Sequence, residues 1–241
     1  MGHRGAAASA PENTLASLRR AHRLGAEWVE FDVRLTADEA LVLCHDDTVN
    51  RTSNGSGRVA AMTLAELRRL DAGAWFAPAY AGERMPTLDE ALECAAELGL
   101  GANIEIKAER GRAAATAAAV ARCIAGRRQP ILVSSFAVEA LATMRDRLPE
   151  TATGLLLGLV PRNWRALATR LGCATVNLAE RRVRPHLVGE IAAAGYRALA
   201  YTVNDPARAA TLFGWGVTSV FSDAPDIILG KVAPVRQGGA G

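Results

Sequence analysis

The sequence predicts an α/β protein, a (β/α)8 TIM barrel with a small insertion after the second barrel strand, and three observations carry that prediction. Strand-like runs alternate with amphipathic runs to the end of the chain, the pattern of repeated β-α units around a parallel sheet. The length, 241 residues, suits a single barrel. Nine strand candidates are one too many, and spacing identifies the extra: 27–35 and 41–45 are joined only by Thr36-Ala37-Asp38-Glu39-Ala40, whereas a parallel crossover takes about a dozen residues or more. Those two runs must form a hairpin.

The elements follow in order. The run 2–4 is the first strand; only Met1 and Gly2 precede His3, so either this strand is very short or the true start lies upstream. Glu12-Asn13-Thr14 opens a helix over 14–24, where an acidic residue and a polar cap are expected on structural grounds. The strand 27–35 is followed by 41–45, which returns antiparallel above the barrel mouth and carries His45 back to the face where Glu30 and Asp32 emerge. Between His45 and Thr87 no barrel strand is expected. That stretch holds Asn54-Gly55-Ser56-Gly57, a short helix over 63–71 and Trp75-Phe76-Ala77-Pro78-Ala79-Tyr80. It is too long for an ordinary connection, so residues 46–86 are expected to form a substrate-side insertion.

Helix 88–98 starts on a capping box, Thr87 with Glu90, and Gly99 suits its left-handed stop. Strand 102–107, helix 110–126, strand 131–136, helix 137–147, strand 152–158 and helix 162–171 follow, the last stopped at Gly172. Then come strand 174–179, helix 185–194 stopped at Gly195, strand 197–203, and helix 206–214, where Asp205 precedes Pro206 at the first helical position. Strand 217–222 closes the barrel. Residues 1–230 are expected to be one domain, and 231–241, ending Gly238-Gly239-Ala240-Gly241, a flexible tail.

Composition narrows the function. Half the residues are hydrophobic and 22% charged, which disfavours disorder and a membrane protein alike. No stretch approaches about 20 consecutive apolar residues, and the opening Met-Gly-His-Arg-Gly has no signal-peptide character, so a soluble chain without stable membrane insertion is expected. Cys44, Cys94, Cys123 and Cys173 are scattered, which fits reduced core thiols and a cytoplasmic location. A net charge of +3 with dispersed arginines disfavours a nucleic-acid partner, leaving a small molecule. Lys107 and Lys231 are the only lysines, a weak sign that lysine at 107 is chosen. Nothing in the sequence sets the oligomeric state.

Four patches at strand ends carry chemistry: His3-Arg4-Gly5, Glu30-Phe31-Asp32, His45-Asp46 and Glu105-Ile106-Lys107. Residues two apart in an extended segment share a face, so Glu30 with Asp32, and Glu105 with Lys107, project together at the C-terminal mouth. Three carboxylates aimed at one mouth cost desolvation and repulsion unless a cation compensates, and an all-oxygen set suits Mg²⁺ or Ca²⁺. An isolated Glu-x-Asp is more often a structural ion pair; its coincidence with His3 and His45 favours the metal. The two histidines would serve as acid and base, and Arg4 and Lys107 would neutralise a phosphate. His22, in an Arg-rich helix, and His186, beside Pro185, take the ordinary reading of satisfied structural histidines.

These residues resemble the motif series of the glycerophosphodiester phosphodiesterase family: His3-Arg4-Gly5, Pro11-Glu12-Asn13-Thr14, Glu30-Phe31-Asp32-Val33 with Thr36-Ala37-Asp38, His45-Asp46 and Glu105-Ile106-Lys107. Tyr201-Thr202-Val203-Asn204 resembles the family's aromatic-Thr-Val-Asn strand, and Gly216-Val217 through Ser222-Asp223-Ala224-Pro225 its closing segment. The resemblance implies a barrel hydrolase that splits glycerophosphodiesters into glycerol 3-phosphate and an alcohol. It assigns Glu30, Asp32 and Glu105 to a divalent metal, His3 and His45 to catalysis, and Arg4 and Lys107 to the phosphate. Tyr201, where the family often has Trp, would line the substrate pocket, with Ser134, Ser135 and Phe136 as weaker candidates. Alternatives are a lysophospholipase D-type hydrolase and a noncatalytic barrel that binds a phosphoester or metal; an amidohydrolase is disfavoured for want of a His-x-His strand motif.

Overall fold

Val29, Phe31 and Val33 of strand β1 (Trp28–Leu35) are buried against helices while Glu30 and Asp32, between them, are buried on the other face. A strand buried on both sides belongs in a parallel sheet wrapped by helices. The computed structural model describes residues 1–231. Its elements run α1 (Leu15–Arg23), β1, β2 (Leu41–Leu43), α2 (Leu64–Leu67), α3 (Leu88–Glu97), β3 (Gly101–Ile106), α4 (Ala113–Ile124), β4 (Ile131–Ser135), α5 (Val138–Arg147) and β5 (Ala152–Leu157). They continue α6 (Trp164–Leu171), β6 (Thr175–Ala179), α7 (Pro185–Ala193), β7 (Arg197–Tyr201), α8 (Pro206–Gly214), β8 (Ser219–Val220) and α9 (Pro225–Lys231).

The eight strands form one curled sheet in the order β2-β1-β3-β4-β5-β6-β7-β8. All pairings are parallel except β1 with β2, the predicted hairpin, whose register sets Val33 against Leu43. The first strand contracts to a single bridge: Gly2 pairs in parallel with both Val29 and Ser222. Its N–H donates to Trp28 O at 2.9 Å, its carbonyl accepts from Glu30 N at 2.7 Å, and His3 N donates to Ser222 O at 2.8 Å. Residues 1–3 thus join β1 to the segment that follows β8, and the fold is a TIM-like α/β barrel.

Inside it, Leu132, Leu199 and Phe221 pack together, with Met1 and Trp28 at the N-terminal ends of the strands and Tyr201 at the C-terminal end. Gly101 is required there, because a Cβ would collide with the Trp28 ring. Two larger clusters fill the space between sheet and helices, one on β1–β4 and one on β5–β8.

The cap predictions match the observed ends. Thr87 and Glu90 form the reciprocal box, Asp205 accepts from Ala207 N, and Gly99, Gly172 and Gly195 have φ of +67°, +63° and +86°. Several other elements are shorter than expected, three of them by the largest fractions. The predicted helix 63–71 is only Leu64–Leu67, because Asp71 accepts from the backbone N–H of Gly73, Ala74 and Gly82 and draws the chain into a turn. The run 41–45 keeps only three paired residues, and the last strand two, because Ser222 bonds to the Met1–His3 segment. An unpredicted helix, α9, follows; Pro225 at its first position and Asp226 in its first turn were its signals.

Residues 46–86 carry α2 and two 3-10 turns, Val59–Ala61 and Pro78–Tyr80, with Val42, Cys44, Val49, Val59, Leu67 and Met85 as a small core of their own. Tyr80 ties this stretch to the loop before α1 by donating to Ser9 O at 3.0 Å. Cys44, Cys94 and Cys173 are buried free thiols; Cys123 departs from the core expectation, partly exposed with its Sγ on Asp89. Among the described residues no helix is long and apolar enough to cross a membrane. The tail expected at 231–241 lies, apart from Lys231, outside the described residues.

Candidate active site

Register alone assembles the acidic centre. Glu30 faces Asn103 and Asp32 faces Glu105 across β1 and β3, so the three acids share the barrel face near the C-terminal ends of those strands. All three are buried, and one oxygen from each lies within 4.8 Å of the others. Glu30 and Asp32 each have one oxygen occupied. Glu30 Oε2 accepts the Arg4 backbone N–H at 3.0 Å, and Asp32 Oδ2 accepts Asn13 Nδ2 at 2.9 Å. Glu30 Oε1, Asp32 Oδ1 and Glu105 Oε1 are buried without a hydrogen bond. Lys107 Nζ lies 2.5 Å from Glu105 and 3.3 Å from Asp32, ion-pair distances without hydrogen-bond alignment.

Burial first, and then the Asp32 charge, push the Glu30 carboxyl up to about 8 and that of Glu105 to about 7. Burial acts on Asp32 in the same sense, but Lys107, Arg4, His45 and the Asn13 hydrogen bond outweigh it and hold that carboxyl below its ordinary range. A buried set whose members resist ionising together, each with an oxygen that no hydrogen bond satisfies and two of these beside Lys107, fits a hard divalent cation.

The turn before α1 is built to deliver His3 and Arg4. Arg4 has φ +49° and Asn13 φ +57°, left-handed conformations that side chains disfavour and that surrounding contacts must enforce. Asn13 N donates to Arg4 O, Ser17 Oγ donates to Arg4 O, and Gly5, at φ +86°, lies so close to Ser17 that a Cβ would overlap it. Arg4 then sets Nε 3.3 Å from Asp32 and Nη1 2.8 Å from Glu12.

Each histidine is held by its own aspartate. His3 Nδ1 lies 2.6 Å from Asp223 Oδ1, and Asn204 fixes Asp223 by donating from Nδ2 and accepting the Asp223 backbone N–H. An ionised carboxylate only accepts, so Nδ1 carries the proton and Nε2, 3.9 Å from Glu30, faces the carboxylates. His45 Nδ1 lies 2.7 Å from Asp46 Oδ1, while Arg34 donates twice to the His45 carbonyl. The environments part the two rings. Burial works to lower His3, but the Asp223 hydrogen bond and the Glu30 charge raise it above the usual histidine value. Burial lowers His45 and prevails over Asp32 and Asp46.

The structure therefore brings Glu30, Asp32, Glu105, Lys107, Arg4, His3 and His45 to one mouth. Tyr201 lies across it, edge-on to Phe136 with centroids 5.9 Å apart; its hydroxyl is buried without a partner, and burial raises its pKa. With Gly158, Ala179, Glu180, Arg181 and Thr202 these rings line a cavity of about 430 Å³. Ser134 lies beside Glu105 in register, whereas Ser135 bonds to Ile106 O and caps the turn at Ala137. His22 and His186 are exposed on α1 and α7, so the structural reading, which expected satisfied core positions, is corrected to solvated ones. Sequence reasoning named Asp46, Asn204 and Asp223 within motifs but gave them no role, and left Glu12 and Asn13 between a helix-start and a functional reading. The aspartates' signals were adjacency to His45 and membership of the closing segment.

The chain is similar to known proteins over nearly its whole length. The model of the glycerophosphoryl diester phosphodiesterase family matches residues 3–227. A glycerophosphodiester phosphodiesterase of Caldanaerobacter subterraneus subsp. tengcongensis is 34% identical, over 98% of this chain and 97% of its own. One of Bacillus subtilis (strain 168) is 31% identical, over 93% of this chain and 83% of its own. Among solved structures, an Oleispira antarctica phosphodiesterase in complex with the product sn-glycerol-3-phosphate superposes with a TM-score of 0.93 at 39% identity, covering 96% of this chain and 95% of that one.

Proposed function

Since the chain belongs to the glycerophosphoryl diester phosphodiesterase family, a family of hydrolases, we propose that it hydrolyses glycerophosphodiesters such as glycerophosphocholine and glycerophosphoethanolamine to sn-glycerol 3-phosphate and an alcohol. The observation that carries this reading is the convergence of three cation-ready carboxylates, two aspartate-held histidines and two cations on one mouth. The Oleispira phosphodiesterase, similar over nearly the whole chain and bound to sn-glycerol-3-phosphate, supports the product.

Glu30, Asp32 and Glu105 would hold Mg²⁺ or Ca²⁺, which would supply Lewis acidity toward the phosphate. Arg4 and Lys107 neutralise the phosphate and the charge that grows on it in the transition state. His45, lowered by burial and with Nε2 free, accepts the proton of the attacking water, or of the neighbouring glycerol hydroxyl in a route whose cyclic phosphate water then opens. His3, whose affinity for a proton Asp223 and Glu30 raise, gives a proton to the leaving alkoxide through Nε2. Tyr201 and Phe136 wall the side that takes an organic part of the diester. Residues 1–230 act as one domain, with 46–86 as an insertion on the substrate side. The free thiols support a reducing, cytoplasmic setting.

A second reading rests on exposed apolar side chains at the cavity: Phe136 is 48% and the neighbouring Leu159 69% exposed, a rim that would suit an acyl chain. Lysophosphatidylcholine would then be cleaved faster than glycerophosphocholine. The deciding experiment follows glycerol 3-phosphate release from glycerophosphocholine and glycerophosphoethanolamine by the purified chain with Mg²⁺, with Ca²⁺ and after EDTA. Cation-dependent release is expected; no release from a folded, cation-loaded protein would overturn the proposal.

A further inference from the structure

We propose that Arg51 is a positioning residue that locks both Arg4 and His45 in place through Glu12 and Asp46, acting on the reaction through these two carboxylates and not by touching substrate. The inference rests on the proposed function for its kinetic consequences and on geometry for the rest.

Arg51 Nη1 and Nη2 reach the two oxygens of Glu12 at 2.8 Å each, while Nε and Nη2 reach those of Asp46 at 2.7 and 3.1 Å. Both carboxylates are shared. Glu12 Oε1 also takes Arg4 Nη1 at 2.8 Å, and Asp46 Oδ1 also takes His45 Nδ1 at 2.7 Å. The result is an unbroken chain, Arg4 to Glu12 to Arg51 to Asp46 to His45. It links the group that faces the phosphate to one that moves the proton.

The donor count argues against a substrate contact. A guanidinium has five N–H groups, and four of these are spent on the two carboxylates, leaving no fork for a phosphate. Energetics argue against a role in stability alone. The Arg51 side chain is 45% exposed, where ion pairs are screened and contribute little. The clamp's contribution is directional: a planar fork holds two carboxylates in fixed orientation, which an ammonium, a point charge, does not. Its position is also telling, because Glu12 and Arg51 are 39 residues apart and the clamp stitches the turn before α1 to the stretch after β2.

The charged groups around His45 are Asp32, Asp46, Lys107 and Arg4, with Arg34 on its carbonyl. Without Arg51, the Asp46 carboxylate loses its cation, turns its full charge on His45, and raises the ring's titration midpoint.

The test combines kinetics on glycerophosphocholine with ¹⁵N-detected titration of the ring nitrogens. There are only four histidines, and His45→Gln identifies the relevant signal. Arg51→Ala should lower kcat about 10- to 100-fold, and raise KM as Arg4 loosens. It should also raise the His45 midpoint by about half a pH unit. Arg51→Lys should fall between Arg51→Ala and wild type on both measures, and serves as the folded comparator. Arg51→Ala combined with Asp46→Asn should cost no more than the worse single change. A His45 titration unaltered in Arg51→Ala, or losses that multiply in the double variant, would overturn the proposal. A wild-type chain inactive on the diester would instead overturn the functional reading, and the titration alone would then decide for or against the clamp.

Discussion

Strands β1 and β3, with the turns around them, put Glu30, Asp32, Glu105 and Lys107 at the barrel mouth, whereas β4 to β7 put Ser134, Phe136, Ala179 and Tyr201 there. The only carboxylate among the residues lining the cavity on that second side, Glu180, is already tied to Arg208 at 2.5 Å. One side is a charge cluster whose groups are mutually dependent; the other is a largely apolar wall that also carries Arg181. The difference separates two tasks. Charge must be concentrated where a cation and a phosphate meet, because electrostatic stabilisation is strongest in a dry and preorganised site. The organic parts of a diester need only shape and apolar surface. Changes on the charged side should therefore strike turnover, and changes on the apolar side should strike affinity and preference.

The largest expected effect is removal of the cation. EDTA should bring glycerol 3-phosphate release to background, with Mg²⁺ or Ca²⁺ restoring it, and Asp32→Asn should prevent the rescue. Full activity in EDTA would break the comparison at its root. Next come the histidines. His3→Ala and His45→Ala should each lower kcat by about 10²- to 10⁴-fold with circular dichroism unchanged. A folded His45→Ala protein with near-normal turnover would remove His45 from the charged machinery.

Much of this division is legible in the sequence because it rests on local periodicity. Two-residue spacing put Glu30 with Asp32 on one face, and a five-residue link forced the β1–β2 hairpin that returns His45. What stayed hidden depends on closure and distance. The first strand was expected at 2–4, but its reduction to one residue, Gly2 held between Val29 and Ser222, is not legible in a strand pattern. Asn13 reads as part of a helix start, yet its amide both donates to Asp32 Oδ2 and accepts the Asp32 backbone N–H. Glu12 and Arg51 meet only once the barrel has brought the ends of separate connections together. The apolar wall carries no motif of its own beyond the Tyr201 segment, since apolar surface serves core and pocket alike.

The charged side should also show itself in pH-dependent stability. Glu30 and Glu105 have folded-state values of about 8 and about 7 against an ordinary 4.5, so between these limits the folded chain holds more protons than the unfolded one. The stability that they contribute is complete below about pH 4.5 and is lost as pH rises through 7 and 8. Asp32 acts oppositely, but only at acid pH, below the ordinary 3.8. The metal-free chain should thus melt earlier at pH 8 than at pH 6. Added cation should raise the melting temperature more at pH 8, where fewer protons compete for the same oxygens. A cation-induced shift that is equal at both pH values would mean that the carboxylates are not its ligands.

The smallest effects should come from the apolar wall, and they sharpen the comparison most. Tyr201 and Phe136 meet edge to face, and Lys107 Nζ lies 5.7 Å from the centre of the Phe136 ring, so the wall touches the charged side at this one cation. Phe136→Leu removes the ring's cation-π attraction while keeping apolar bulk, a contact worth about 0.5–1 kcal/mol at an exposed site. Lys107 keeps its bonds to Glu105 and Asp32, so kcat should stay within about twofold to threefold while KM rises by less than about tenfold. Tyr201→Phe removes only a hydroxyl that has no partner among the described residues, so any change in the ratio of glycerophosphocholine to glycerophosphoethanolamine cleavage reports a contact from that hydroxyl to the substrate. If either change lowered kcat as far as His45→Ala, the wall would be part of the reacting centre, and the two sides of the mouth would not be separate in task.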